Sequence, residues 1–323
     1  MRICFAVFGV ALAACSGAQP IGYAPAPVVP AVHGRSWIAP DLTGKTLLYV
    51  SDEDTVDVYD YGTNTKVGSL ADFSHAAGSC TDGAGNVYVT NTGSADVLKF
   101  SHGGTKPTYI IDPSPYPVDC AIDTASGNLA VINEYGASEY SKGDVAIYAG
   151  GKGKPKIYKS SFSVPLTSGA YDAHGNLLVS AFANTTFDFG YLPAGQQKFE
   201  SVNLRYSSNW YGPPYVRWDG EYFVAGFRAG YVDEPDIFAM YTIKGTNVIR
   251  EGYSLAERVG QSSSFWLGKV GGPKSLHRAN RLLLNGSYDY GGILFYYYPE
   301  GGAAVFAMQD ELESSGVTVS PPG

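Results

Sequence analysis

A chain of 323 residues is long enough for two average domains or for one large all-β domain with a sizeable core. Its net charge is -8 and its pI about 5.1, which excludes a nucleic-acid footprint because phosphate contacts need a basic face. Only 16% of the residues are charged while glycine (40) and tyrosine (25) are abundant, a balance that favours strands and turns over helices.

Residues 1–14 read as a secretory signal, in which Arg2 precedes an apolar run over 3–12 that is too short to span a bilayer. Leu12, Ala13, Ala14 and Cys15 resemble the bacterial lipobox, which implies a lipid on Cys15 as the first residue of the mature chain. Ordinary secretion and an uncleaved apolar leader are the other readings of that stretch. Ser16 resembles the outer-membrane sorting class, given a host with two membranes. The expectation is an extracytoplasmic lipoprotein of the outer membrane or cell surface, monomeric and touching the membrane only through its lipid. Residues 15–40 are rich in Pro and Ala and read as an extended, semi-rigid tether, leaving 41–323 as one domain. Cys4 and Cys15 belong to the leader, so Cys80 and Cys120 remain for the folded part. Their nearly equivalent places in neighbouring repeats suit a structural disulfide, with two separate buried thiols as the alternative.

The folded part repeats itself. GSCTDGAGNVYVTN (78–91), DCAIDTASGNLAVIN (119–133) and TSGAYDAHGNLLVSA (167–181) each run from a strand through a D-x-x-G-N or D-x-x-x-G-N turn into an apolar strand. Val50, Val89, Val131, Val179, Val224 and Leu284 anchor six such strands, at intervals of 39, 42, 48, 45 and 60, the range of four-stranded propeller blades. A further apolar strand follows each anchor, ends in a glycine turn such as Gly103-Gly104 or Gly150-Gly151, and leads to a fourth. No such unit buries both faces of its sheet alone, so the sheets must stack around an axis. The predicted architecture is all-β: a six-bladed β-propeller, with seven blades as the neighbouring count. Its first unit lacks an innermost strand, and GVTVS (316–320) matches the missing one in pattern, so the C-terminal strand closes the ring. The sixth unit is longer than its counterparts over 262–285 and is expected to carry an inserted loop.

These residues resemble NHL-type repeats, and Tyr88-Val89-Thr90-Asn91 matches the motif of the YVTN propeller repeats. The likeness covers most of 47–308 and is strongest in the second and third units. It implies the scaffold and no activity.

In a propeller the loops after the second strands converge on one face. Reading those positions yields a ring of oxygen-bearing side chains, Asp52, Asn91, Asn133, Glu134, Asn184, Asp233 and Asn285, taken as the ligand-binding candidates. No cofactor is expected, with Ca²⁺ or another divalent ion the one candidate for such a ring. The bland alternative is turn chemistry, since Asp and Asn end strands by bonding nearby backbone. A more distant resemblance, to SMP-30/gluconolactonase-like propellers, implies a divalent ion held by the nearest equivalents Asp52, Asn133 and Asn184, with Asp where that family has Glu. His174 lies inside a turn on the opposite face and reads as structural. AGGKGKPK (149–156) sits between two strands and reads as a hairpin turn rather than a phosphate loop. The aromatic stretch RYSSNWYGPPYVRW (205–218) suits either stacking on a sugar or partner, or packing between blades. No G-x-S-x-G, H-E-x-x-H or P-loop occurs. The residues therefore point first to a binding or scaffold module for a protein, small-molecule or carbohydrate ligand, with no catalytic residues assigned. The alternative is a metal-dependent hydrolase or lactonase using the acidic ring.

Overall fold

The computed structural model describes residues 35–136, 142–160, 162, 164–183, 186–204, 210–229, 234–257, 262–269, 281–287, 292–309 and 314–322. Apart from two short 3₁₀ turns, Thr92–Ser94 and Ala149–Gly151, their regular structure is strand. The strands form six sheets, and the strands that head them contact one another in a closed ring. This is a six-bladed β-propeller. Blade 2 runs outward from the axis as Ala76–Thr81, Val87–Asn91, Asp96–Phe100 and Thr108–Ile111. Blade 3 follows as Pro117–Ile122, Leu129–Asn133, Asp144–Tyr148 and Lys156–Lys159, and blade 4 as Leu166–Tyr171, Leu177–Ala183, Thr186–Leu192 and Glu200–Val202. Blade 5 has Trp210–Trp218, Phe223–Ala229, Asp236–Lys244 and Asn247–Glu257; blade 6 has Ser262–Lys269, Arg281–Ser287, Gly292–Tyr297 and Phe306–Gln309.

Blade 1 closes the ring. Gly316–Ser320 pairs antiparallel with Leu47–Ser51 from Leu47↔Ser320 to Ser51↔Gly316, and Val56–Asp60 and Thr65–Leu70 complete the sheet. Trp37–Ile38 adds a further strand against Thr65–Leu70, so the fold begins inside the stretch expected to be tether. The reason is local: the Ala39 amide donates to the Val67 carbonyl and the Ala71 amide to the Ser36 hydroxyl, which gives these residues a sheet edge to bond. Blade 5 also gains a fifth strand, Gly302–Ala303, which crosses from blade 6 and pairs parallel to Ala256 and Glu257. The inserted loop expected in the sixth unit falls on residues 270–280, outside the described residues.

The second strands of blades 1, 2 and 3 are buried at every position because a neighbouring blade covers each face of the sheet. That is why they read as unbroken apolar runs rather than alternating ones. The outer strands Thr108–Ile111 and Lys156–Lys159 are mostly exposed. The core is accordingly six layers between successive blades. The layer between blades 4 and 5 is aromatic, with Phe187 and Phe189 edge-on to Phe227. The layer between blades 2 and 3 is the leanest among the described residues, and there Cys80 and Cys120 are joined as a disulfide, Cα to Cα 5.7 Å. Across a separation of 40 residues such a link stabilises by about 4 kcal/mol on the chain-entropy model.

The recurring turn has one mechanism. The Asp82 carboxylate accepts from the Ala84 and Asn86 amides at 3.0 and 2.9 Å and from Asn86 Nδ2 at 2.8 Å, while Gly85 supplies a φ of +79°. Asp172, His174, Gly175 and Asn176 repeat it in blade 4, and the Asn176 side chain accepts from the Ala194 amide to tie in the next hairpin. His174 itself projects into solvent beside Asp172. Residues 149–156 form the hairpin between Asp144–Tyr148 and Lys156–Lys159.

Candidate functional site

The three described amides of the expected ring turn into the blades rather than toward one another. Asn91 is 2% exposed; its Nδ2 donates to Asp96 at 2.8 Å and its Oδ1 accepts from the Ser74 amide at 2.6 Å. Asn133, fully buried, gives Nδ2 to Asp144 at 3.0 Å and to Asp112 at 3.2 Å. Asn285, also fully buried, donates to Asp236 of the preceding blade at 3.4 Å. These residues clip the end of a second strand to the start of a third, within a blade or across to the next. Asp52 is half-buried, with its amide donating to the Thr55 carbonyl in a strand turn. Glu134 is half-buried too; burial raises its carboxyl above the usual range, with a hydrogen bond from Tyr135 opposing the rise. Asn184 and Asp233 lie outside the described residues.

Two of these partners form a buried carboxylate pair between blades 2 and 3. Asp112 accepts from the Ser114 amide at 2.9 Å, the Tyr148 hydroxyl at 3.0 Å and Asn133, and Asp144 accepts from the Ser114 hydroxyl at 2.8 Å. Burial pushes Asp112 up to about 6, and the Asp144 charge adds to the rise against those donors. Asn133 Oδ1 is buried and has no partner among the described residues. An oxygen in that state invites a cation. Asp52 does not join it in any cluster of three His, Cys, Asp or Glu side chains among the described residues.

The cavity lies at the other end of the axis. A funnel of about 240 Å³ opens on the D-x-x-G-N face and is walled by the inner strands of all six blades. Exposed Thr124 and Ala173 stand at its rim, and the Cys80–Cys120 bond forms part of its wall. Its floor is Arg217. The guanidinium donates through Nη1 to Asp119 at 2.7 Å and Ser168 at 2.9 Å, through Nη2 to Asp119 at 3.3 Å, and through Nε to the Phe265 carbonyl at 3.0 Å. Ser168 in turn donates to Asp119 at 2.6 Å. Inner strands of blades 3, 4, 5 and 6 are thus tied by one polar plug. The Asp119 and Arg217 side chains are 1% and 13% exposed, so the pair is charge-neutral and largely dry.

Two indoles complete the wall. Trp218 stands edge-on to Phe223 at 5.1 Å, and Trp266 edge-on to Tyr61 at 6.1 Å. The Trp266 ring lies along its own strand over Gly268, where a Cβ would collide with it. The aromatic stretch expected between the fourth and fifth units is therefore, from Trp210 onward, the innermost strand of blade 5. Asp119, Ser168, Arg217 and Trp266 were not singled out in the sequence. The signal that could have found Asp119 and Arg217 was a charge inside an otherwise apolar inner strand, as in PVDCAI and PYVRW, just ahead of the turn aspartate; Ser168 and Trp266 carry no such mark.

No family model and no curated protein matches the chain. Among solved structures it is similar to a protein of unknown function from Bacteroides caccae, at 14% identity, covering 85% of this chain and 99% of that one, with a TM-score of 0.56. At that identity the likeness concerns the fold.

Proposed function

We propose that the chain is a lipid-tethered, extracytoplasmic binding or scaffold module of the NHL/YVTN repeat type, anchored through Cys15, whose ligand seats in the central funnel. The observation that carries the reading is the funnel over the Asp119–Arg217–Ser168 plug, a preformed concavity whose one lining cation, Arg217, is already paired. The disulfide between Cys80 and Cys120 supports an oxidising compartment. The hydrolase alternative needs further ligands around the Asn133 Oδ1, and no group of three His, Cys, Asp or Glu side chains that could hold a metal occurs among the described residues.

The test combines metal analysis of the purified chain with melting after chelation and re-addition of Ca²⁺, Mg²⁺, Mn²⁺ or Zn²⁺, and with a screen of lactone and ester hydrolysis. The expected result is no turnover and no ion-dependent stabilisation. A stoichiometric ion whose stabilising increment vanishes in Asn133→Ala, accompanied by lactone turnover, would overturn the binding reading.

A further inference from the structure

The walls of the funnel offer an approaching molecule little net charge. Arg217 spends its donors on Asp119, Ser168 and the Val216 and Phe265 carbonyls. The Asp172 carboxylate accepts from the His174 amide and from both nitrogens of Asn176. Either group would have to give up protein hydrogen bonds to meet an ion, so the cavity favours a neutral occupant. What the walls do offer is flat and hydroxylic. Trp218 and Trp266 are half-buried on neighbouring inner strands, each held edge-on by one aromatic ring. Thr81, Thr124 and Thr318 line the same space, and among the described residues Thr81 Oγ1 makes only a long bond, 3.3 Å to the Val319 carbonyl. Ser79, 3% exposed and also on the wall, has a buried hydroxyl without a hydrogen-bond partner among the described residues. A buried hydroxyl left unpaired costs stability unless something supplies its bond.

We infer that the funnel takes a neutral saccharide ring, its apolar face against Trp218 and Trp266 and its hydroxyls met by Ser79 and the threonines. The assignment rests on the binding-module reading and names the ligand class for it. A cyclic polyol matches this wall because it presents apolar C–H faces and a rim of uncharged donors and acceptors, the same division that the wall makes.

The test is intrinsic tryptophan fluorescence of the purified full chain, titrated with glucose, galactose, mannose, N-acetylglucosamine and their β-1,4-linked dimers. Galacturonate, glucosamine and cyclohexanol serve as charged and purely apolar probes. At least one neutral sugar should give a saturable change that Trp218→Ala abolishes. Ser79→Ala should weaken it by about fivefold, the worth of one hydrogen bond, with the melting temperature of the free protein not lowered, because that hydroxyl has no partner to lose among the described residues. Thr124→Ala, at the exposed rim, should weaken it too, and keeps the question answerable if Trp218→Ala fails to fold. Folded protein that responds to no neutral sugar, or binding untouched by Ser79→Ala and Thr124→Ala, would overturn the assignment. If a charged or apolar probe saturates the funnel instead, the saccharide assignment falls while the binding module stands. Lactone turnover would remove the latter independently.

Discussion

Asp112 and Asp119 are both nearly inaccessible, and they differ in what answers their charge. Asp112 has three hydrogen-bond donors and, among the described residues, no ion pair, and Asp144 stands beside it. Its carboxyl moves from 3.8 to about 6. With the folded value above the unfolded one, the stability it contributes is complete below the unfolded value and is lost as pH rises through about 6, roughly 3 kcal/mol in all. Asp112→Asn, neutral throughout, should gain stability relative to the parent between pH 4 and pH 7; parallel urea-denaturation curves across that range would refute the assignment. Asp119 is answered by Arg217, and the pair behaves oppositely to substitution. Arg217→Met leaves the buried carboxylate alone and should cost about 3–5 kcal/mol, whereas Arg217→Met combined with Asp119→Asn should recover most of it. Guanidinium unfolding of the parent, both single variants and the double variant closes that cycle, and additive losses would mean that the two side chains are not coupled.

At the scale of the strand, the closing segment carries more than its length suggests. Gly316–Ser320 bonds Leu47–Ser51 along its whole course and also reaches blade 2: Ser315 Oγ donates to the Ala76 carbonyl at 2.7 Å and Ser320 Oγ to the Gly85 carbonyl at 2.6 Å. Val317 and Val319 fill the layer between blades 6 and 1 at 1% and 6% exposure. Burying two valines contributes about 3–6 kcal/mol, so removing residues 314–323 should lower the melting temperature by roughly 10 °C or more. A synthetic peptide of that segment added in trans should restore some of the loss. A truncated chain that melts like the parent would show that the ring does not depend on its closure. This strand was legible in advance because its apolar alternation fits a vacancy that the first unit leaves. Trp37–Ile38 and Gly302–Ala303 were not, because a two-residue strand has no period to read.

For the whole molecule, six anchor strands and a glycine at each turn were enough to foretell the ring, since stacked sheets of this size leave few other ways to bury both faces. The site was less legible, for a chemical reason. Asn91, Asn133 and Asn285 have the oxygen that a ligand needs and also the amide that a strand end needs, and the packing of Asp96, Asp144 and Asp236 against them decides which is used. Trp218 was noticed as an aromatic, but the end of the axis it would face depends on the register of the inner strand, which shifts between Tyr211 and Tyr215. The two extremities of the described fold also meet on one blade, Trp37–Ile38 at its outer edge and Gly316–Ser320 at the axis. That arrangement makes blade 1 a mechanical fuse. A pull arriving through the chain ahead of Arg35 first peels two residues, Trp37 from Ser69 and Ile38 from Gly68, breaking bonds one at a time at low force. It then reaches Leu47–Ser51, held on both sides by Gly316–Ser320 and Val56–Asp60. There it must shear a pair of ladders together, so a load is absorbed at the rim before it can open the ring.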